Sequence, residues 1–538
     1  MTDCILGLGG FDHDGAAALL ADGRIVGSLE WERVSRRRYA GLRTFAEVDA
    51  LLTATGWDLS QVRVIAWADH ERFGMPEMMP VREGLRRRFP RAEVIPVDHH
   101  RCHLASAWYV SGFADGAVLS IDGKGDGASA AIAIGAGDEL REVQRQPSSS
   151  SLGRTWHALA IACGYSHFAA AGKVMALAGY GEPRFVEDLL AWTQLHADGG
   201  FTFKAPGEAR GNGPTFRRAQ AQAEFFQDSF AVPRLEPGQL PSRTHADLAA
   251  SVQVWTTLLV ENLASAAVRV ADSRNLCMAG GVALNVVANT HILRARVADR
   301  LFVQPAAGDC GLALGAALAV NARAMVQPGG AARFSPYLGR AFTDAQAQPG
   351  IAAMDGLVCR DCDDPPAAAA AAILRGERIG WFQDREELGP RALGARSMLA
   401  LPSTRGQRDR INAAKGREPY RPLALALTPS IDRERFEGAA CPYMLLSHQV
   451  RPDAARGLAE GLHVDGTSRL QRVDEQSADG FAELLDGLAR ARAPASVINT
   501  SLNADGEPMV GEPVDAARLV QRGVIDRLFV GGLQVERT

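Results

Sequence analysis

The sequence predicts an α/β chain of two domains, the first internally duplicated and the second a separate anion-binding unit. Three observations carry that expectation. An apolar strand, an acidic Gly-rich turn and a second apolar strand occur in succession twice. A buried strand ending in Gly280-Gly281 leads towards a helix. Past a Pro/Gly-containing stretch from Gln327 to Gly350, arginine and lysine gather among apolar residues.

The first copy, Ile5 to Leu20, reads ILGLGGFDHDGAAALL and continues through the turn Asp22-Gly23 into RIVGSLEWE. The second, Val118 to Ile134, reads VLSIDGKGDGASAAIAI and continues through GAGDE. Asp-Gly between apolar runs is a hairpin signal. Two such hairpins facing one cleft suit a nucleotide, because glycine lets backbone approach phosphate and aspartate can hold the accompanying cation. Gly-rich hairpins also occur in proteins that bind nothing. The repeated hairpin is the organisation of the duplicated actin-like (ASKHA, RNase H-like) ATPase fold.

Asn275 to Leu293, NLCMAGGVALNVVANTHIL, adds a strand, a double glycine and a helix N-terminus. That is a natural anion pocket, and equally an ordinary tight connection. Leu301 to Leu318 follows the same plan, with Asp309 at a turn from which it can cap the helix or reach into the cleft. Ala191 to Ser242 is polar and weakly patterned and reads as an insertion. Pro365-Pro366 before AAAAAAILRG reads as a helix start in the second domain, so domains at 1–350 and 351–538 are expected.

At 538 residues, 47% hydrophobic and 22% charged, the composition is that of an ordinary globular protein. The formal net charge of −4 argues against a dedicated nucleic-acid binder. The runs Arg36-Arg37-Arg38 and Arg86-Arg87-Arg88 read as solvated faces. Met1 to Gly15 lacks the pattern of a secretory leader, and no apolar run approaches the ~18 residues of a membrane span. The eight cysteines make no disulfide framework, and Cys359–Cys362 has no second pair at zinc-ribbon spacing. A reducing cytoplasm is the expected compartment.

In VIPVDHHRCHLASAWYV a strand precedes a helix that starts near His99. His99 and His103 then share one face a turn apart and can share a metal ion. The pair reads equally as a helix N-terminus bearing polar histidines. His100 points elsewhere and suits a structural role. Asp122 and Asp309, each on a Gly-rich turn, would complete a set of two imidazoles and two carboxylates, which suits iron, manganese or zinc. His13, at the tip of the first hairpin, could take a proton from a hydroxyl nucleophile, or be a turn residue satisfied by backbone.

The second half reads IGWFQDREELGPRALGARSMLALP from Ile379, then DRINAAKGREPYRPLALAL. Arg391, Arg396, Lys415, Arg417 and Arg421 alternate there with Gly, Pro and apolar residues. Converging cations in a semi-apolar setting fit a pocket for a phosphorylated ligand. His463 and Arg469 in HVDGTSRLQ, with Asn499, Thr500, Ser501 and Asn503 in VINTSLNADGEPMV, add groups that can hold carbonyl or phosphate oxygen.

Together the His13-Asp14 hairpin, HHRCH, SIDGKGDG, CMAGGVALN, PAAGDCGLALGAA, ELGPRALGARS, GREPYRPLA and NTSLNADGEP resemble the NodU/CmcH carbamoyltransferase family, in order along nearly the whole chain. The resemblance implies a YrdC-like second domain that hydrolyses carbamoyl phosphate and adenylates the carbamate with ATP, accompanied by Mg2+. Arg391, Lys415, Arg421, Arg469, Asn499 and Ser501 match the family's positions for that step. It implies that His99, His103, Asp122 and Asp309 hold Fe2+ or another divalent metal. Gly123, Gly125, Asp126, Lys173, Gly280, Gly281 and Asn285 would bind nucleotide, and His13 would serve transfer from carbamoyl-adenylate. The implied partners are carbamoyl phosphate and a hydroxyl-bearing small-molecule acceptor, a natural product, with neither nucleic acid nor membrane. A homodimer and the identity of the acceptor stay open. The alternative is a tRNA-modifying enzyme of the threonylcarbamoyl-adenosine type. Two departures touch the cleft: Gly15 stands where relatives carry serine, and Asp126 where glutamate is usual.

Overall fold

The structure is a computed structural model and describes residues 4–166, 170–204, 215–236, 238–321 and 333–538. Its first sheet contains Cys4–Gly9, Ala16–Ala21, Arg24–Glu30, Val62–Ala68 and Glu93–Val97. The order is third, second, first, fourth, fifth, with an antiparallel meander followed by two parallel neighbours. A second sheet, of Asp115–Gly125, Ala128–Ala136, Glu139–Pro147, Asn275–Ala279 and Arg300–Val303, repeats both the order and the directions. The duplicated actin-like fold expected from the echoed hairpins is therefore present in strand order as well as in sequence.

Two helices rich in small residues lie between these sheets, His99–Trp108 and Leu312–Val320. Gly315 is what lets them meet, since a side chain there would run into the carbonyl of Cys102. Their close approach brings the start of one helix, with its histidines, beside the turn that carries Asp309.

Described residues of the polar stretch at 191–242 reach the main core. Its helix Thr215–Ser229 packs on Leu152–Ala162 and buries Ala219, Ala223 and Phe226, with Phe230 just beyond, in the main core. The spacing of these four residues is a helical stripe hidden among glutamines. The double glycine differs from expectation. A 3-10 turn, Gly281–Leu284, separates it from the helix Val286–Arg294.

A ten-stranded sheet, running from Leu357–Asp361 at one edge to Phe436–Glu437 at the other, forms the second unit. The expected helix Pro365–Leu374 is present, capped by Asp364, and packs beside Phe481–Arg490. Ala347 and Ile351 join the same core as Val510 and Leu519, so this core takes up the chain from the helix Asp344–Ala352.

The two units are joined by buried polar contacts. The Gly389 N–H donates to Glu30 Oε1 at 2.8 Å, while Arg33 donates to the Gly389 carbonyl at 2.9 Å. Glu30 and Arg33 are both buried and lie 3.3 Å apart. Arg36 is no solvated-face residue: it donates to the Met509 carbonyl at 2.6 Å and pairs with Asp515 at 3.2 Å. Arg86 and Arg87 are exposed as expected. Among the described residues no helix is long and apolar enough to cross a membrane. Cys359 and Cys362 form no disulfide.

One acid is misplaced for stability. Glu47, in the helix Ala46–Thr55, is fully buried, and its own backbone N–H and the Thr44 hydroxyl are the groups that approach its carboxylate. Burial raises it to about 7, and its own backbone and the Thr44 hydroxyl offset only part of that. A carboxyl whose folded value is raised destabilises the fold increasingly as pH climbs from its unfolded to its folded value. Glu47→Gln is therefore expected to raise the thermal midpoint at about pH 8, by relieving roughly 3 kcal/mol, and much less at about pH 5. Calorimetric scans of both proteins at the two pH values check this.

Candidate metal centre and anion pocket

The helix His99–Trp108 presents His99 and His103 one above the other, with ring centroids 4.8 Å apart. Asp98 caps it by accepting the Arg101 N–H at 2.9 Å. Asp122 comes from the second-copy hairpin, Asp309 from the turn before Leu312–Val320. The four potential ligand atoms all lie within 4.8 Å of one another. His99 Nε2 is 3.4 Å from Asp122 and 3.9 Å from Asp309, and His103 Nε2 is 3.7 Å from Asp309. Ligands at ordinary bond lengths around one ion stand about 3 to 3.5 Å apart, so a small inward adjustment suffices.

The chemistry of the donors fits too. No ring nitrogen of His99 or His103 has a partner in hydrogen-bond geometry, although both rings are buried. Burial works against a charge on His99, but the Asp122 contact and the Asp309 carboxylate outweigh it and raise the ring to about 10. His103 moves the opposite way, held neutral by burial and by His99. Burial and the Asp122 charge push Asp309 up to about 6. A divalent cation would replace the proton shared within this set and satisfy all four donors. His100, as expected, is turned aside, its Nδ1 2.7 Å from Ser120 Oγ.

Gly281, with Gly125 and Asp126 of the second hairpin, packs around this cluster. Gly281 N–H donates to Asp122 Oδ1 at 2.7 Å and aims the carboxylate. A side chain at Gly125 would run into the imidazole of His99. Asp126 accepts the N–H groups of His99, His70 and Glu71 at 2.7, 3.0 and 2.6 Å. Its carboxylate is thus engaged with the backbone of two segments. Asn285 caps Val286–Arg294 through Val287 and Ala288 and pairs with Gln253. Lys173 lies across the domain junction, 2.6 Å from Glu418. Gly123 lies against Gly153, and its carbonyl takes a bond from Ser151 at 2.6 Å. Gly280 fits tightly against the backbone of Ile121.

His13 joins the cluster's edge, its Nδ1 3.0 Å from Asp14 and 3.8 Å from Asp309. Burial depresses it, but Asp14 and Asp309 together raise it to about 9. A cation on Asp122 and Asp309 would remove much of that pull and return the ring towards neutrality. Gly15, the departure beside it, donates its N–H to Ala40 and accepts from Trp31, and so ties the tip to the next loop.

The second site is a cavity of about 370 Å³ where the ten-stranded sheet meets the first domain. Arg391, Arg417, Arg421, Arg469, Asn499 and Ser501 line it. Lys415 stands behind them, donating to the Ser501 carbonyl and, at 2.6 Å, to Asn503. Arg417 donates to Thr500 and Ser501 at 3.1 and 3.2 Å. Arg396, by contrast, is fully buried, donating to backbone carbonyls of Arg340 and Gln383. Burial first, and neighbouring cations second, weigh against the charged forms of Arg391, Lys415, Arg417 and Arg469. Among the described residues, Glu418 is the acid paired with this group, and it is shared with Lys173. A bound polyanion would relieve both penalties at once. Tyr180, Val254 and Val287 of the first domain form part of the wall, which sequence patterning alone did not bring to this site.

Gly125→Ala removes no ligand, yet it is expected to displace His99. Mn2+ affinity, followed by calorimetry on the full chain, should fall at least about 10-fold, as for outer-shell changes generally. Unchanged affinity would mean that His99 is not a ligand.

Residues 65–318 match the family profile described as "Carbamoyltransferase N-terminus", and residues 370–537 that described as "Carbamoyltransferase C-terminus". The chain is 33% identical to nodulation protein NolNO of Sinorhizobium fredii, over 98% of this chain and 79% of that protein. It is also 33% identical to nodulation protein NolO of Bradyrhizobium diazoefficiens, over 82% and 79%. Component A of (R)-2-hydroxyglutaryl-CoA dehydratase from Acidaminococcus fermentans superposes loosely, with a TM-score of 0.34 and 15% identity over 59% of this chain and 96% of that one. With both halves matched in order, the chain belongs to the carbamoyltransferase family and is a carbamoyltransferase enzyme.

Proposed function

We propose that the enzyme is an ATP-dependent O-carbamoyltransferase that draws on carbamoyl phosphate and acts on a hydroxyl of a small natural product. The carrying observation is the set of buried cations around one cavity, too unbalanced to be a structural ion network. In this reading the cavity takes carbamoyl phosphate, and water releases phosphate and carbamate. The carbamate oxygen then attacks the α-phosphorus of ATP, giving carbamoyl-adenylate and pyrophosphate. The arginines hold phosphate oxygens throughout, and Lys415 keeps Ser501 and Asn503 in place.

The second step belongs to the hairpin clefts of the first domain. His99, His103, Asp122 and Asp309 would hold a divalent ion, iron among the candidates, which supplies Lewis acidity and a clamp for phosphate oxygen. His13 takes the proton of the acceptor hydroxyl as that oxygen attacks the carbamoyl carbon and AMP leaves. Asp14 orients the ring through its Nδ1 contact. Holding both steps in one chain shields a labile mixed anhydride from water. A cytoplasmic setting, where ATP and carbamoyl phosphate occur, fits this chemistry.

The test is incubation of the full chain with ATP, Mg2+, carbamoyl phosphate and ferrous ion, with mass spectrometry for carbamoyl-adenylate. The adenylate is expected with the native chain and with His13→Asn, and is expected to vanish with Lys415→Ala or Arg421→Ala. Its absence from the metal-loaded native chain would sink the proposal. Normal turnover of carbamoyl phosphate by Lys415→Ala would remove that residue from the first step.

A further inference from the structure

Among the cavity groups that the steps above do not use is His463. Its ring lines the cavity beside Arg469, and its Nε2 is buried without a hydrogen-bond partner. The bonds on the opposite side of the ring fix which nitrogen carries the proton. The Asp465 carboxylate can only accept, so the Thr467 hydroxyl, 2.7 Å away, gives it its single proton. The Ser447 hydroxyl donates to Thr467 Oγ1 at 2.9 Å. The last lone pair of Thr467 Oγ1 faces His463 Nδ1 at 3.0 Å, and only an N–H satisfies it.

Nδ1 therefore bears the proton, and in the neutral ring Nε2 is a bare acceptor. Burial and the neighbouring Arg469 keep the ring neutral, lowering it to about 4. The surroundings make this acceptor conspicuous. Arg391, Arg417, Arg421 and Arg469 offer donors only, and among the described lining residues Asn499 Oδ1 is the other buried acceptor without a hydrogen-bond partner. A phosphate uses such donors, but it leaves an acceptor unmet. A ligand that suits the whole cavity carries a phosphate at one end and an N–H at the other.

We propose that His463 is a specificity residue for the amino end of carbamoyl phosphate, its Nε2 accepting an N–H of the carbamoyl group while the guanidinium groups hold the phosphate. This rests on the reading of the cavity as the carbamoyl phosphate site. Acetyl phosphate has nearly the same shape but presents a methyl group there, leaving Nε2 buried and unsatisfied. Such a mismatch is how a polar site rejects an isostere.

Calorimetric titration of the full chain with carbamoyl phosphate, acetyl phosphate and inorganic phosphate tests it. The native chain is expected to prefer carbamoyl over acetyl phosphate. His463→Leu should shrink that preference about 5- to 100-fold, the range for one lost buried hydrogen bond, while leaving inorganic phosphate affinity unchanged. His463→Gln, which returns an amide acceptor near the Nε2 position, should recover most of it. An undiminished preference in His463→Leu would overturn the assignment, as would an equal loss of inorganic phosphate binding, which marks a structural residue. A native chain that binds phosphate but not carbamoyl phosphate would instead remove the underlying reading of the cavity.

Discussion

Glu30 and Arg33 take hold of the two backbone groups of Gly389, one from each side, and the geometry of both sites follows from that grip. Glu30 ends the third strand of the first sheet, whose pairing with Ala16–Ala21 sets the hairpin carrying His13. Gly389 is two residues before Arg391, which lines the cation-rich cavity. A shift of the grip would therefore move the hairpin tip and the cavity wall relative to each other. Both side chains are buried, so removing either one leaves a charge without its partner, a loss of about 3–5 kcal/mol.

Charge is arranged oppositely at the two sites. The first gathers carboxylates around imidazoles: Asp122, Asp309 and Asp14 about His99 and His13. The second gathers arginines with few acids. Neither arrangement is comfortable by itself, because like charges close together in a buried setting repel. A cation would relieve the first and an anion the second. Tyr39 lies between them, its carbonyl taking the Asp14 N–H and its hydroxyl accepting from Arg38, a neighbour of the Lys415 and Arg417 charges. The loop at 36–42 is thus continuous with both sites.

Much of this was legible in the chain itself. The two hairpins read as a duplication because each pairs an apolar strand with an Asp-Gly turn, and strand order repeats it faithfully. His99 and His103 were readable from helical spacing, and Asp122 and Asp309 from turns that leave a carboxylate facing a cleft. Long-range partnership was not readable. Asp126 looks like a phosphate-loop residue in sequence, but three backbone N–H groups from distant segments claim it. Asn285 follows a double glycine, yet a 3-10 turn intervenes and makes it a cap. Arg36 sits in a basic run that resembles a solvated face, and only the docking of residues 508–515 shows its use. The helix Thr215–Ser229 was missed because its core stripe of alanine and phenylalanine is diluted by glutamine.

The central claim is that the cation-lined cavity activates a carbamate with ATP, before and apart from the metal cluster. Exchange of labelled pyrophosphate into ATP measures that activation without any acceptor molecule. The native chain should catalyse exchange only when carbamoyl phosphate is present, and Asp309→Asn should leave it largely intact. No exchange, or exchange that ignores carbamoyl phosphate, would contradict the account.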